Sequence, residues 1–80
     1  MIFLIEYDRL KGLLVNMRQF NDSDLMSAEK ERLELEIDLN RKKIDHEVVI
    51  LEAVDENLLR CNHRRYFESL ESIALSLGQK

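Results

Sequence analysis

The sequence predicts a small α+β domain whose elements run ββαβα, and three observations carry that prediction. A run rich in β-branched and aromatic residues and a second, alternating run flank a short polar segment that ends in Gly12. A third apolar run, Val48 to Leu51, separates two longer stretches of helix-forming residues. The composition is 45% hydrophobic and 35% charged with no proline, which excludes a disordered tail, a low-complexity linker or a collagen-like repeat. At 80 residues the chain is expected to form one domain, 1–80. So small a core is commonly supplemented by oligomerisation.

Residues 2–7, Ile-Phe-Leu-Ile-Glu-Tyr, fit a pleated, buried surface and form the first expected strand. Asp8 to Gly12 is a hairpin loop, with glycine where positive φ is needed. Residues 13–20 then alternate, which places Leu13, Val15 and Met17 on one face and Asn16 and Arg18 on the other.

Asn21, Asp22, Ser23 and Asp24 are all N-cap formers, and the twenty residues after them hold no glycine. Residues 33–39 alternate as strictly as a strand, yet their flanks, Ala28 to Arg32 and Asn40 to Lys43, are strong helix formers without a turn signal. A helix is therefore expected. Projected at about 100° per residue, it carries two apolar stripes. Leu25, Ala28, Leu35 and Leu39 form one; Met26, Leu33, Ile37 and Ile44 form the other. A helix that rests only on its own sheet needs one stripe, so the second predicts contact with another body.

Residues 47–53 read as a short buried strand. Asp55 caps a last helix expected over 56–77, with Leu59, Tyr66, Leu70, Ile73, Ala74 and Leu77 on its apolar face and Gly78 as its stop. The first strand is apolar at both alternating sets, which suits a central place. Strand order 2-1-3 with antiparallel neighbours is expected; order 1-2-3 with a parallel pair is the alternative.

Few residues point to chemistry. Cys61 is the lone cysteine, so no internal disulfide or multi-cysteine zinc site exists, and a reducing compartment fits. Two residues apart on a helix, Cys61 and His63 point about 200° apart and cannot share a metal. His63 reads as a core-edge histidine, and His46 carries no motif. Glu6 and Asp8 share a strand face, where paired carboxylates can perform acid–base work or hold a cation. With Arg9, Lys11 and Arg18 nearby, a solvated ion-pair cluster is the expectation. No Walker loop, dinucleotide fingerprint, HExxH or nucleophile elbow occurs. Neither catalysis nor a cofactor is expected.

Arg60, Arg64 and Arg65 form the densest positive stretch, with Arg41, Lys42 and Lys43 the next. A net charge of -4 argues against bulk attraction to nucleic acid or to an anionic membrane. Arg64 can pair with Glu68 at i,i+4, and cations suit any helix C-terminus. The first apolar run is too short for a signal peptide or a membrane span. The expectation is a cytoplasmic, non-catalytic interaction or regulatory module that homodimerises. Its interface would be Met26, Leu33, Ile37 and Ile44, with the uncovered part of the sheet. The alternative is a nucleic-acid-binding regulator using Arg60, Arg64 and Arg65, with Lys42 and Lys43 as further contacts.

Overall fold

The computed structural model describes residues 1–68. In order they form β1 (Ile2–Asp8), β2 (Leu13–Phe20), a 3-10 turn (Asp22–Asp24), α1 (Leu25–Arg41), β3 (His46–Glu52), α2 (Glu56–Asn62) and a second 3-10 turn (Arg64–Tyr66). The three strands make one sheet in the order β2-β1-β3, antiparallel throughout. This is the expected small α+β domain. β1 takes the centre because both of its faces are apolar, and Ile2, Phe3, Leu4, Ile5 and Tyr7 are all buried.

The two helical segments serve opposite faces. Ile2 and Leu4 of β1 pack with Phe20 and Ala28 on the α1 side. Phe3, Ile5 and Tyr7 pack with Leu59 of α2 and Tyr66 on the other side. α1 lies across β1 and β3 rather than over β2.

Local details depart from the expected reading in four places. A bulge between Glu6 and Tyr7 of β1 and the facing stretch of β2 pairs Glu6 with Asn16 but Tyr7 with Leu14, so Val15 is the extra residue. The phase of the strand changes there. Leu14 and Met17, not Leu13 and Val15, join the cluster around Tyr7, while Leu13 and Val15 remain exposed. At the start of α1, Asp24 occupies the N-cap position without a side-chain capping bond, and residues 22–24 form a 3-10 turn instead.

α1 ends at Arg41, and Lys43 takes the left-handed conformation at φ 58°. The amide of Lys43 donates to the Asn40 carbonyl at 3.1 Å, and that of Ile44 donates to Leu39 at 2.9 Å. That pair of bonds is a Schellman motif, which brings Ile44 toward Leu39. Ile44 is therefore off the helix and does not extend the Met26, Leu33, Ile37 stripe.

The expected helix over 56–77 is not continuous. Asp55 does cap it, accepting from the Leu58 amide at 2.8 Å. α2 nevertheless stops at Asn62, where His63 adopts φ -128°, ψ 50° and the chain turns into the 3-10 segment. Asn62 and His63 are weak helix formers, and the break lets Tyr66 reach the sheet. The positions expected on the distal half, Leu70, Ile73, Ala74, Leu77 and Gly78, lie outside the described residues.

Candidate functional site

Four surfaces could carry function, and each follows from the fold. The first is the outer face of α1. At about 100° per residue, Met26, Leu33 and Ile37 fall within about 40° of one another. Ala28 and Leu39 mark the opposite, buried side of the same helix. The outward stripe is open: Met26 is 87% exposed, Leu33 55% and Ile37 49%. Charged residues frame it. Arg32 reaches back to Glu29 at 2.9 Å and forward to Glu36 at 3.0 Å on one flank. Those two carboxylates raise the guanidinium above its ordinary value, the bond to Glu29 being the largest single cause. Lys30 and Glu34 occupy the other flank.

The second surface is the end of the sheet on the α1 side. The β1–β3 register sets Asp8 directly opposite His46. Glu6, one pleat away, meets His46 at Nδ1 with 2.6 Å, while Asp8 lies 3.5 Å from Nε2. Glu6 and Asp8 therefore serve His46 rather than the expected cluster with Arg9, Lys11 and Arg18. Asp8 also accepts from the Lys11 amide at 3.1 Å. That bond is the main reason its carboxyl falls below the usual value; burial opposes it and His46 assists. Among the described residues no group of three histidines, cysteines or acids is arranged to hold a metal.

A cleft of about 490 Å³ opens beside this cluster, between α1 and β2. Glu6, Glu31, Glu34 and Asp38 line it, with Arg18 as the one cation of its wall among the described residues. Arg18 is held by Glu31 at 2.5 Å, a single ion pair across the cleft. The cleft exists because α1 leans toward β3 and leaves the polar side chains of β2 uncovered.

The third surface is the same end of the sheet on its opposite face. Glu47 accepts from the Tyr66 hydroxyl and from Arg65 at 2.5 Å, and Arg9 approaches it at 3.3 Å. Tyr66 packs edge-on against Tyr7, centroids 5.1 Å apart, with Arg65 over the Tyr66 ring at 4.6 Å. Burial of Glu47 favours its neutral form. The Tyr66 hydroxyl and the Arg65 and Arg9 charges outweigh that effect and hold its carboxyl below the usual range. Burial, then the bond to Glu47, raises the Tyr66 hydroxyl, which stays a donor. The contacts are those of a structural clamp.

The arginines expected as phosphate contacts make up the fourth surface. Arg60 lies 3.6 Å from Glu56 and stacks on Phe67 at 4.6 Å. Arg64 binds Glu68 at 2.8 Å, the i,i+4 pair expected from the spacing, although the connecting turn is not α-helical. Arg65 is the Glu47 partner. All three are engaged within the chain. Cys61 is exposed.

No protein-family model, curated protein or solved structure matches the chain.

Proposed function

We propose that the chain is a non-catalytic protein-interaction module of a reducing, cytoplasmic compartment, and that it works as a homodimer through the outer face of α1. The observation that carries this reading is the exposed stripe of Met26, Leu33 and Ile37 on a helix whose inner face already packs on the sheet. Apolar side chains aligned on one solvent-facing stripe mark interaction surfaces more often than scattered ones do. The charge pattern favours a second copy as the occupant. Two α1 helices crossing antiparallel near Leu33 set Met26 of one against Ile37 of the other. The same crossing sets Lys30 against Glu34 across the seam, a favourable pair on both sides of the two-fold axis.

Among the described residues no helix is long and apolar enough to cross a membrane. The nucleic-acid alternative loses ground to the ion pairs of Arg60, Arg64 and Arg65, since phosphates would have to displace Glu56, Glu68 and Glu47.

Light scattering tests the reading. The chain at micromolar concentration is expected to show at least twice its own mass, and Leu33→Glu is expected to halve that mass with the fold intact by circular dichroism. A mass unchanged by Leu33→Glu and by Ile37→Glu overturns it. Salt-dependent binding of duplex or single-stranded nucleic acid, lost in Arg64→Ala with Arg65→Ala, would put the alternative in its place.

A further inference from the structure

The sheet has two outer strands, and they are built differently. β2 carries the bulge at Val15 and sets Asn16, Arg18 and Gln19 along its length, features that discourage another strand from pairing there. β3 has no bulge and keeps its polar residues, His46, Glu47 and Glu52, at its two ends. Its register with β1 is unbroken from His46 to Glu52, and its middle is Val48-Val49-Ile50-Leu51 without a lysine, proline or bulge. The direction of its backbone groups follows from the ladder. Ala53 donates to the Met1 carbonyl at 3.0 Å, so in β3 the odd positions Glu47, Val49 and Leu51 bond to β1. The amides and carbonyls of His46, Val48, Ile50 and Glu52 therefore point outward. Among the described residues no backbone bond reaches them.

We infer that this edge pairs antiparallel with the same edge of a second copy, joining two three-stranded sheets into one of six strands. The sequence of β3 is self-complementary about Val49. A two-fold axis there sets Val48 against Ile50 of the second copy, with His46 against Glu52 at each end. All four are outward-bonding positions, so these are the hydrogen-bonded pairs, and Val49 faces Val49 in a non-hydrogen-bonded one. The helices fit the same arrangement. α1 lies over β1 and β3. With strands about 4.8 Å apart, the two α1 helices stand about 10 Å apart across the axis, the spacing of packed helices. The Arg18–Glu31 contact turns one flank of α1 toward β2, so the Glu29, Arg32, Glu36 flank borders the seam.

The inference is separate from the α1 contact, which uses the face of the helix turned away from the sheet. The edge axis runs along the sheet normal and the α1 axis lies in the sheet plane. Two perpendicular two-fold axes that meet close into a four-chain assembly rather than a fibre.

Single cysteines in a Cys61→Ser background read the two contacts independently. Val49→Cys is expected to give a covalent dimer under mild oxidation, because facing Cα atoms of a non-hydrogen-bonded pair lie about 4.5 Å apart, within disulfide range. Leu51→Cys, which faces Glu47 of the second copy, is expected to remain a single chain. Leu33→Cys reports the α1 contact. A Val49→Cys protein that is folded and stays a single chain overturns the edge inference whatever Leu33→Cys does. Cross-linking of Val49→Cys without Leu33→Cys upholds the edge and removes the α1 reading. Amide exchange of the unmodified chain gives a second measure. The Val48 and Ile50 amides are expected to slow as concentration rises. Exchange that is fast at every concentration, or slow at every concentration, overturns the inference.

Discussion

The two faces of the sheet are closed by opposite means. On one, a 17-residue helix contributes only Ala28 and Leu39 as buried residues. On the other, a 7-residue helix contributes Leu59, fully buried, and the turn beyond it adds Tyr66. The long helix approaches closely because alanine is small at the contact, and most of its surface stays available. The short helix also leaves most of its residues exposed, Leu58 among them. It is pinned by one leucine, one aromatic pair and the Glu47 clamp. Length and anchoring are thus uncoupled in this chain: the longer helix carries the aligned, exposed apolar stripe, and the shorter one, with the turn after it, carries the local stability of its face.

The α2 face is most vulnerable at Tyr66. Replacing a buried aromatic by alanine typically costs about 3–5 kcal/mol, and Leu→Ala at a site like Leu59 about 2–5 kcal/mol. Either loss approaches the whole stability of so small a domain. Urea melts followed by far-UV circular dichroism are expected to show Tyr66→Ala and Leu59→Ala unfolded or barely folded. Near-parental midpoints for both would mean that the α2 face is not pinned as described. Tyr66→Phe, which loses only the hydroxyl on Glu47, is expected to cost about 1–2 kcal/mol.

On the α1 side the expected effect is smaller and of another kind. Ala28→Leu inserts volume where helix and sheet touch, and overpacking of this sort costs about 1–3 kcal/mol. The same melt checks it. A neutral Ala28→Leu would show that α1 stands off the sheet and that its inner face is looser than its partner across β1.

Acid weakens the α2 face through Glu47. Its folded carboxyl titrates below the ordinary value, so its contribution is complete above the unfolded value and is lost as pH falls through the folded one. Stability is therefore expected to decline on the acid side, and Glu47→Gln is expected to flatten that decline. Asp8 and Glu68, also lowered, keep a residual slope. Urea midpoints taken between neutral pH and about pH 3 measure both, that window covering the usual carboxyl range. An acid limb unchanged by Glu47→Gln would leave the clamp without energetic weight.

The smallest expected effect has the opposite sign. Lys43 holds a left-handed conformation that glycine adopts without strain, so Lys43→Gly is expected to stabilise by about 0.5–1 kcal/mol. A destabilised variant in the same assay would mean that the lysine side chain contributes more at the end of α1 than its backbone costs.

What the sequence determined by itself was whatever depends on near neighbours. Alternation, a glycine-bearing loop, the Asp55 cap and a central strand apolar on both faces are local signals, and they were enough for the element order and for strand order 2-1-3. The outward stripe at Met26, Leu33 and Ile37 was legible for the same reason, because helical spacing alone aligns those side chains. Tertiary structure decided the rest. The bulge at Val15 needs a facing strand to define it, so the alternation of residues 13–20 pointed to the wrong pair of core residues. Ile44 left the stripe because a backbone hydrogen-bond pattern, not side-chain spacing, ends α1 at Lys43. The last helix broke at His63 because Tyr66 gains more from Tyr7 and Glu47 than from another helical turn. His46 carried no motif, and its partners Glu6 and Asp8 lie about forty residues away in sequence. The antiparallel register of β1 with β3 brings them together, and no periodicity within one segment can express a pairing between two.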